Sequence, residues 1–340
     1  MMVPAIANLL LGLIAIPFYI RYAQNKQIVD FPNHRSSHTK ITPRGGGIFL
    51  AFGSILFACL SSFWLPYWPF LCVAFCIVTL GFIDDLKPLS AIFRLGIQII
   101  LVATIFWIIG RDLQFTSSEI SSNFASASTL FTWVAMGLFT LWTVGCLNIY
   151  NFMDGIDGIA ALQGIATTTA WTVIAYSSQN QFLYLLTLLL FGGLVAFLYY
   201  NWSPAKVFMG DGASSFLGFA FATMPLIHSK HTGIDLWVSM NLSALMLVPF
   251  LFDGTFTIFR RILNRENILQ AHCSHLYQRW TLSGGSHRLV SSTYGLWAIT
   301  GGISALLVYF EYLSLFLAYG IVLTPATALL IYSRKFPRSV

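Results

Sequence analysis

Long apolar runs recur from one end of this 340-residue chain to the other. A helix needs roughly 20 apolar residues to cross a bilayer, and the runs approach that length. Composition agrees, since 57% of the residues are hydrophobic, only 9% are charged, and the mean hydropathy is +0.75. The sequence therefore predicts an all-α polytopic membrane helix bundle. Soluble enzymes, disordered tails and nucleic-acid modules are excluded.

The apolar runs predict about eleven spans within a single transmembrane domain over residues 1–340. The spans are centred near residues 12, 55, 75, 100, 140, 167, 191, 221, 247, 302 and 323. No small-residue cleavage site follows the first run, so we interpret it as a helix and not as a signal peptide. The predicted cytoplasmic loops lie near 21–47, 84–91, 150–158, 201–213 and 260–290.

Basic residues predict the orientation of the chain in the membrane. With the N-terminus outside and the C-terminus in the cytoplasm, every Lys and Arg except Arg111 and Lys230 lies on the inner side. This distribution follows the positive-inside rule and accounts for most of the net charge of +6 without a nucleic-acid partner. The same topology leaves four acids outside: Asp112, Glu119, Asp235 and Glu311. We therefore expect any chemistry to face the cytosol.

Two adjacent carboxylates, Asp84 and Asp85, end the third predicted span, and Lys87 follows them. Like charges at a membrane boundary repel each other, so the pair favours a divalent-cation site or a group that removes a proton. Successive helical side chains point about 100° apart, so we expect only one of the two to face a given ligand. The alternative is simple solvation at the interface, with Lys87 as the counter-charge.

Polar residues recur every three positions at the end of the fifth predicted span: Asn148, Asn151, Asp154 and Asp157. Neighbours at this spacing share a helix face, and four polar groups there are costly unless they line a wet cavity. Helix packing through bridging amides accommodates one or two asparagines but not both acids as well. Gly155 and Gly158 predict a backbone break or a close approach to a ligand.

A third polar segment runs from Asn201 to Asp211, where the next predicted helix begins. Asp211 serves either as a helix cap or as a Mg²⁺ ligand, because Mg²⁺ is typically held by one or two carboxylates plus substrate phosphates. A helix N-terminus also favours phosphate. The residues alone leave both interpretations open.

The last long internal loop carries His272, His275 and Arg279, which share one helix face. Zinc needs three or four ligands, and these histidines with Cys273 form an incomplete and poorly spaced set. Two histidines and an arginine are better suited to the phosphates of an anionic substrate. A solvated amphipathic helix on the membrane surface is the alternative.

From Pro43-Arg44-Gly45-Gly46 to Arg279, the motifs together resemble, in family order, the polyprenyl-phosphate N-acetylaminosugar-1-phosphate transferases (glycosyltransferase family 4) of bacterial envelope synthesis. The histidine segment and the later Gly285-Ser286-His287-Arg288 are similar to the branch that starts O-antigen chains on N-acetylated deoxyhexosamines. Three consecutive histidines, as in the phospho-MurNAc-pentapeptide translocases, are missing from the segment. This difference argues against a role in peptidoglycan synthesis.

The resemblance implies transfer of a sugar 1-phosphate from a UDP-N-acetylaminosugar to undecaprenyl phosphate, with release of UMP. It implies Mg²⁺ as cofactor with Mn²⁺ as a substitute, and a site facing the cytosol in the bacterial cytoplasmic (inner) membrane among membrane lipids. The implied donor is a UDP-N-acetyl-6-deoxyhexosamine, such as UDP-N-acetylfucosamine or UDP-N-acetylquinovosamine, with UDP-N-acetylglucosamine as the alternative. Direct attack, a covalent enzyme intermediate and a homodimer are all left open.

The resemblance also assigns roles to single residues. Those assigned to catalysis are Asp84, Asp85, Asp154, Asp157, His272 and His275. Those assigned to substrate binding are Arg44, Asn148, Asn151, Asn201, Phe208 and Arg279. Asp211 would bind the metal, the Asp84–Asp85 pair would lie by the acceptor phosphate, and the histidines with Arg279 would face the diphosphate or the sugar.

A transporter of nucleotide sugars or lipid-linked sugars is the competing class. Its acids should lie near the bilayer midplane, on broken helices related by an internal repeat. In this sequence the acids cluster at one predicted membrane face and no repeat is visible. The pattern favours the transferase.

The charge asymmetry makes the topology testable with reporter fusions. A reporter fused after Arg338 should read cytoplasmic, and one inserted near Ser122 should read external, because positive charge is retained inside. Reversal of either reading would place the acids on the wrong side for a cytosolic UDP-sugar.

Overall fold

A computed structural model describes residues 2–32, 40–110, 125–267 and 273–334, with the backbone alone for 125–129. In these ranges the chain is almost entirely helical, which confirms the all-α class. The helices are α1 (Met2–Asn25), α2 (Ile48–Cys59), α3 (Trp68–Leu86), α4 (Ala91–Ile105), α5 (Ala125–Met153), α6 (Ile159–Ser177), α7 (Gln181–Asn201), α8 (Asp211–Thr232), α9 (Leu236–Leu263), α10 (Leu276–Leu282), α11 (His287–Tyr309) and α12 (Leu315–Ser333). A 3₁₀ turn, Leu65–Tyr67, precedes α3, and a π-helical turn, Phe106–Gly110, follows α4.

Every predicted span centre lies within one of these helices. Eight helical segments of the described chain are long and apolar enough to cross a membrane. They contain α1, α3, α4, α5, α6, α7, α9 and α12. Helix α2 is shorter, and α8 and α11 are less apolar. The chain is therefore a multi-pass membrane protein, while the count of eleven spans and the orientation of the termini stay predictions.

Helix α8 is the centre of the bundle. It is buried without interruption from Gly212 to Ser229 and packs against α3, α5 and α9. Peripheral helices instead expose large apolar side chains, such as Phe18 on α1 and Phe316 on α12. Hydrocarbon is the solvent around a membrane bundle, so these exposed side chains carry no hydrophobic cost there. A central helix shielded from lipid tolerates the small and polar residues that α8 contains.

A short antiparallel hairpin brings the segment before α2 to the start of α8. Strand β1 (Val29–Asp30) pairs with β2 (Thr42–Pro43). The carbonyl of Pro43 accepts a 2.8 Å hydrogen bond from Phe208 N, and the carbonyl of Phe208 accepts bonds from the N–H groups of Gly45 and Gly46. Residues 43–46 are thereby fixed against the connection between α7 and α8.

Helices α3 and α8 approach closely where Gly81 meets the start of α8. A Cβ atom at Gly81 would lie 2.6 Å from both Cα and N of Gly212, which is closer than carbon atoms pack. Glycine at this position therefore lets the end of α3 reach the first turn of α8.

Substitution of Gly81 tests this close approach. Gly81→Ala should lower the melting temperature (Tm) of the purified protein, because overpacking costs about 1–3 kcal/mol. Gly96→Ala on α4 is the matched control, since no atom lies within 4 Å of its added Cβ. Equal Tm values for the two variants would contradict a tight α3–α8 contact.

Candidate active site

Three aspartates and two arginines meet where α3 ends and α8 begins. Arg44 Nε lies 2.7 Å from Asp85 Oδ1, and Arg44 Nη2 lies 2.9 Å from Asp211 Oδ1. Arg94 Nη1 pairs with Asp84 Oδ2 and lies 3.4 Å from Asp211 Oδ2. Each arginine thus bridges Asp211 to one member of the adjacent pair. We call these five residues the carboxylate–arginine cluster.

The two adjacent carboxylates point to different partners, as expected from the 100° between successive helical side chains. Asp85 Oδ1 accepts a 2.9 Å hydrogen bond from Asp211 N, and Oδ2 accepts one of 3.4 Å from Gly212 N. Asp84 Oδ1 instead accepts a 2.6 Å bond from Leu89 N in the turn that leads to α4. Asp85 therefore holds the start of α8, and Asp84 holds the α3–α4 turn.

Gly210 is required where Asp85 reaches α8. Its φ of +85° lies in the left-handed region, and an added Cβ would lie 2.5 Å from Asp85 Oδ2. Gly210 is the N-cap of α8 and Asp211 is the first helical residue. The interpretation of Asp211 as a helix cap is therefore wrong.

Asp211 is the most accessible carboxylate of the cluster. Its side chain is 23% exposed, against 8% for Asp84 and 2% for Asp85. Burial disfavours the charge on Arg44, but Asp211 and Asp85 more than offset this effect and raise the pKa of its guanidinium. The cluster therefore presents one open carboxylate, flanked by two permanent cations, at a helix N-terminus.

The two asparagines of α5 join neighbouring helices. Asn148 Nδ2 donates a 2.9 Å hydrogen bond to Gln98 Oε1 on α4, and Asn151 Nδ2 donates one of 2.9 Å to Ser214 Oγ on α8. A small polar cavity of about 10 Å³, which is room for about one water molecule, lies beside them. Amide bridging between helices thus describes both residues, and their predicted role in substrate binding stays a prediction.

Asp154 and Asp157 lie in the predicted break between α5 and α6, where Gly158 has a φ of +79°. Asp154 is half-buried, and none of the hydrogen bonds or ion pairs between described residues involves its side chain. Burial raises the pKa of the Asp154 carboxyl well above its usual range, and the charges of Asp211 and Asp85 add to the effect. Asp154 is therefore a carboxyl group beside the cluster that has no partner among the described residues.

Asp157, in contrast, is held on both sides. Its Oδ2 accepts a 3.1 Å hydrogen bond from Ala205 N, and its Oδ1 lies 3.3 Å from Nδ1 of His287 on α11. Burial alone would raise the pKa of Asp157, but the hydrogen bond and charge of His287 outweigh it, and the pKa lies below its usual range. Asp157 therefore links the α5–α6 break, the α7–α8 connection and α11.

Asn201 and Phe208 also lie at the α7–α8 connection. Asn201 Oδ1 accepts a 2.8 Å hydrogen bond from Gly158 N, and Nδ2 donates one of 2.9 Å to the carbonyl of Val207. Its buried amide thus joins the α5–α6 break to the α7–α8 connection, and its predicted role in substrate binding stays a prediction. Phe208 contributes the backbone pairing with residues 43–46, and its ring is half-buried.

His275 and Arg279, two of the predicted diphosphate contacts, are buried in the structure. His275 is 2% exposed, and its Nδ1 lies 3.4 Å from Asp253 Oδ1 on α9. Arg279 is 8% exposed, and its Nη2 donates a hydrogen bond to the carbonyl of Ser333 at the end of α12. Both side chains are buried against protein, and their predicted contact with a diphosphate stays a prediction. His272 lies outside the described residues.

Sequence reasoning missed Arg94, His287 and Asp253. Arg94 has a signal in the sequence, because it lies in the first turn of the helix that follows the adjacent acids. His287 is part of the quoted Gly285–Arg288 motif, but nothing in the sequence pairs it with Asp157. Asp253 is a single acid inside an apolar run, and its partners come from distant segments.

Arg94 should stabilise the cluster more than its neighbour Lys87 does. Arg94→Gln leaves the buried Asp84 without its cation and should reduce stability by roughly 2 kcal/mol, read as a lower Tm. Lys87→Gln is the matched control, because exposed Lys87 makes no ion pair with another described residue and should change stability by about 0.5 kcal/mol or less. Equal Tm losses in the two variants would contradict the ion-pair arrangement.

Comparison with known proteins gives a consistent assignment. The model of glycosyl transferase family 4 matches residues 67–229, which include Asp84, Asp85, Asp154, Asp157 and Asp211. A Bacillus subtilis (strain 168) protein named "Probable undecaprenyl-phosphate N-acetylglucosaminyl 1-phosphate transferase" is 32% identical over 326 residues, covering 94% of this chain and 88% of the relative.

Two further relatives are named as phospho-N-acetylmuramoyl-pentapeptide-transferases. The phospho-N-acetylmuramoyl-pentapeptide-transferase of Streptococcus pneumoniae (strain 70585) is 30% identical, covering 75% of this chain and 83% of the relative. That of Streptococcus mutans (serotype c, strain ATCC 700610 / UA159) is 31% identical, covering 66% and 71%. With the family match and the extent of these similarities, the chain belongs to glycosyl transferase family 4 and is a membrane-embedded transferase.

Proposed function

We propose that the protein transfers an N-acetylaminosugar 1-phosphate from a UDP-sugar to undecaprenyl phosphate and releases UMP. The observation that carries the proposal is the carboxylate–arginine cluster at the N-terminus of the central helix. The named activity of the Bacillus subtilis relative, which aligns over 94% of this chain, supports the same reaction. The transporter alternative gains no support, because each relative described above is named as a transferase.

The surroundings of Arg94 suit an amphipathic acceptor. Its neighbours on α4, Ile92, Phe93 and Leu95, are exposed apolar side chains of a membrane helix. Arg94 itself turns toward Asp84 and Asp211, and its buried Nε has no hydrogen-bond partner among the described residues. A buried donor without a partner is costly, so a ligand oxygen would complete it. We therefore place the acceptor phosphate beside Arg94, with its hydrocarbon chain in the bilayer.

The donor's diphosphate would lie between Arg44 and the N-terminus of α8. Guanidinium groups and helix N-termini both favour phosphate. In the reaction, an oxygen of the acceptor phosphate attacks the phosphorus that carries the sugar. The bond from that phosphorus to the oxygen shared with the uridine-linked phosphate breaks, and the electron pair leaves with UMP. Asp84 and Asp85 each already form an ion pair with an arginine and at least one hydrogen bond with a backbone N–H group. This supports a role in positioning the substrates for direct attack over the formation of a covalent aspartyl intermediate.

The donor atoms present fit Mg²⁺. Within the described ranges no three His, Cys, Asp or Glu side chains are arranged to hold a metal by themselves. Mg²⁺ typically takes only one or two carboxylates plus substrate phosphates, and Asp211 is an accessible carboxylate at the expected place. Bound Mg²⁺ would supply charge neutralisation between the carboxylates and two phosphorylated substrates. Asp154, with its free carboxyl, is the second oxygen donor that we assign to this region.

The donor sugar is the finer part of the proposal. We propose an N-acetyl-6-deoxyhexosamine and an initiating role in O-antigen or related envelope polysaccharide synthesis, because the Gly285–Arg288 motif is similar to that branch. The name of the Bacillus subtilis relative favours N-acetylglucosamine as the second candidate. A 6-deoxy sugar has a methyl group where N-acetylglucosamine carries a hydroxyl. A pocket that fits the methyl group offers that hydroxyl no hydrogen-bond partner, and burying an unpaired hydroxyl costs about 1–3 kcal/mol. Discrimination of roughly tenfold to a hundredfold is the expected scale.

UMP release from undecaprenyl phosphate and a panel of UDP-sugars tests the proposal. We expect release that EDTA abolishes and Mg²⁺ restores, with a higher kcat/KM for UDP-N-acetyl-6-deoxyhexosamines than for UDP-N-acetylglucosamine. Asp211→Asn should remove detectable turnover without loss of membrane insertion, because charge is lost while shape is kept.

The arms of this experiment separate the parts of the proposal. No UMP from any donor would contradict the reaction, and full release in EDTA would contradict the metal. Equal or higher kcat/KM with UDP-N-acetylglucosamine would contradict the deoxy-sugar assignment alone.

A further inference from the structure

A fully buried carboxylate, Asp253, lies on α9 and is not a member of the carboxylate–arginine cluster. Its Oδ1 accepts hydrogen bonds from Leu276 N at 2.8 Å and Thr257 Oγ1 at 3.2 Å. Its Oδ2 accepts bonds from Tyr277 N at 3.0 Å and Tyr294 Oη at 2.7 Å. Four donors from three helices therefore converge on one carboxylate that water does not reach.

The number of donors has a physical reason, which is the cost of burying a charge. A buried carboxylate without partners is among the most costly groups in a protein, whereas one that accepts several hydrogen bonds is stable. Two of the donors are the first backbone N–H groups of α10, which have no partner inside their own helix. A seven-residue helix does not form stably by itself. Asp253 therefore holds α10 on α9 and, together with the capping box between His275 and Gln278, fixes where α10 begins.

Helix α10 in turn contacts the end of α5. Tyr277 Oη donates a 2.9 Å hydrogen bond to the carbonyl of Phe152. The same hydroxyl lies so close to Gly155 that an added Cβ there would be 2.1 Å from it. The phenol of Tyr277 thus rests directly on residues 152–155. This stretch opens the break that carries Asp154 and Asp157.

We propose that Asp253 is a positioning residue for the transfer reaction, acting through Tyr277 on the segment 152–158. The inference rests on the proposed function and adds a residue that lies outside the region matched by the family model. Asp253 holds the α10 backbone, Tyr277 holds the carbonyl of Phe152, and the two acids of the break are thereby kept in place beside the cluster.

Tyr294 supplies a matched control. It is buried like Tyr277. Its hydroxyl donates a hydrogen bond to Asp253 Oδ2, the oxygen that also accepts the bond from Tyr277 N. Its hydroxyl lies on α11, however, and bonds to the carboxylate and not to α5. Tyr294→Phe therefore removes a buried phenol hydroxyl of the same kind without touching the break.

The experiment compares Asp253→Asn, Tyr277→Phe, their double variant and Tyr294→Phe. Each is measured for Tm, for kcat and KM of UMP release, and for hydrogen exchange of residues 150–158 by mass spectrometry. We expect Asp253→Asn and Tyr277→Phe each to lower kcat by about tenfold or more and to speed exchange in this segment. The double variant should lose less than the product of the two single losses, because both act through one contact.

Tyr294→Phe should keep kcat within about twofold of the unsubstituted protein, with unchanged exchange at 150–158, even though its Tm falls. Equal kcat losses in Tyr294→Phe and Tyr277→Phe, or losses that merely follow Tm, would overturn the positioning role. If Asp253→Asn does not fold, the comparison of the two tyrosine variants decides alone. If the unsubstituted protein releases no UMP, the proposed function fails, while the exchange measurement still supports or overturns the link from Asp253 to the break.

Discussion

The contact between the Asp85 carboxylate and the first N–H groups of α8 is the interaction on which the rest of the site depends. It joins the end of α3 to the start of the central helix. It requires glycine at 81 and 210, because a Cβ atom at 81 would overlap the backbone of Gly212 and one at 210 would overlap the Asp85 carboxylate. It also places two further acids within reach of each other. Three carboxylates at one end of an apolar bundle need cations, and Arg44 and Arg94 provide them.

This arrangement divides the acids by task. Asp84 and Asp85 are hydrogen-bonded to backbone N–H groups and paired with arginines. Asp157 is held by Ala205 N and by His287. Asp211 also pairs with both arginines but is the most exposed acid of the cluster, and the side chain of half-buried Asp154 makes no hydrogen bond or ion pair with another described residue. A site for the two phosphorylated substrates proposed above would gain from this division, because Asp84, Asp85 and Asp157 would hold the geometry while Asp211 and Asp154 would meet the ligands.

The apolar runs predicted the helices well, because lipid exposure leaves few alternatives to a helix for an apolar segment of sufficient length. The structure brings the motif residues Asp84, Asp85 and Asp211 into one cluster, and their predicted roles stay predictions. What the sequence did not predict is which distant groups complete each acid. Asp253 receives its donors from residues 257, 276, 277 and 294, and His275 turns into that buried group because the packing of α9, α10 and α11 decides it. Residue type and spacing carry no information about such contacts.

The central claim is that the open carboxylate of the cluster meets a divalent cation and the donor's phosphates at the start of α8. Electron paramagnetic resonance of Mn²⁺ added with a UDP-N-acetylaminosugar to the purified protein tests it directly. The account predicts bound Mn²⁺ with hyperfine coupling to phosphorus, and loss of that signal in Asp211→Asn. An unchanged signal in Asp211→Asn would contradict the account, because the cation would then lie elsewhere.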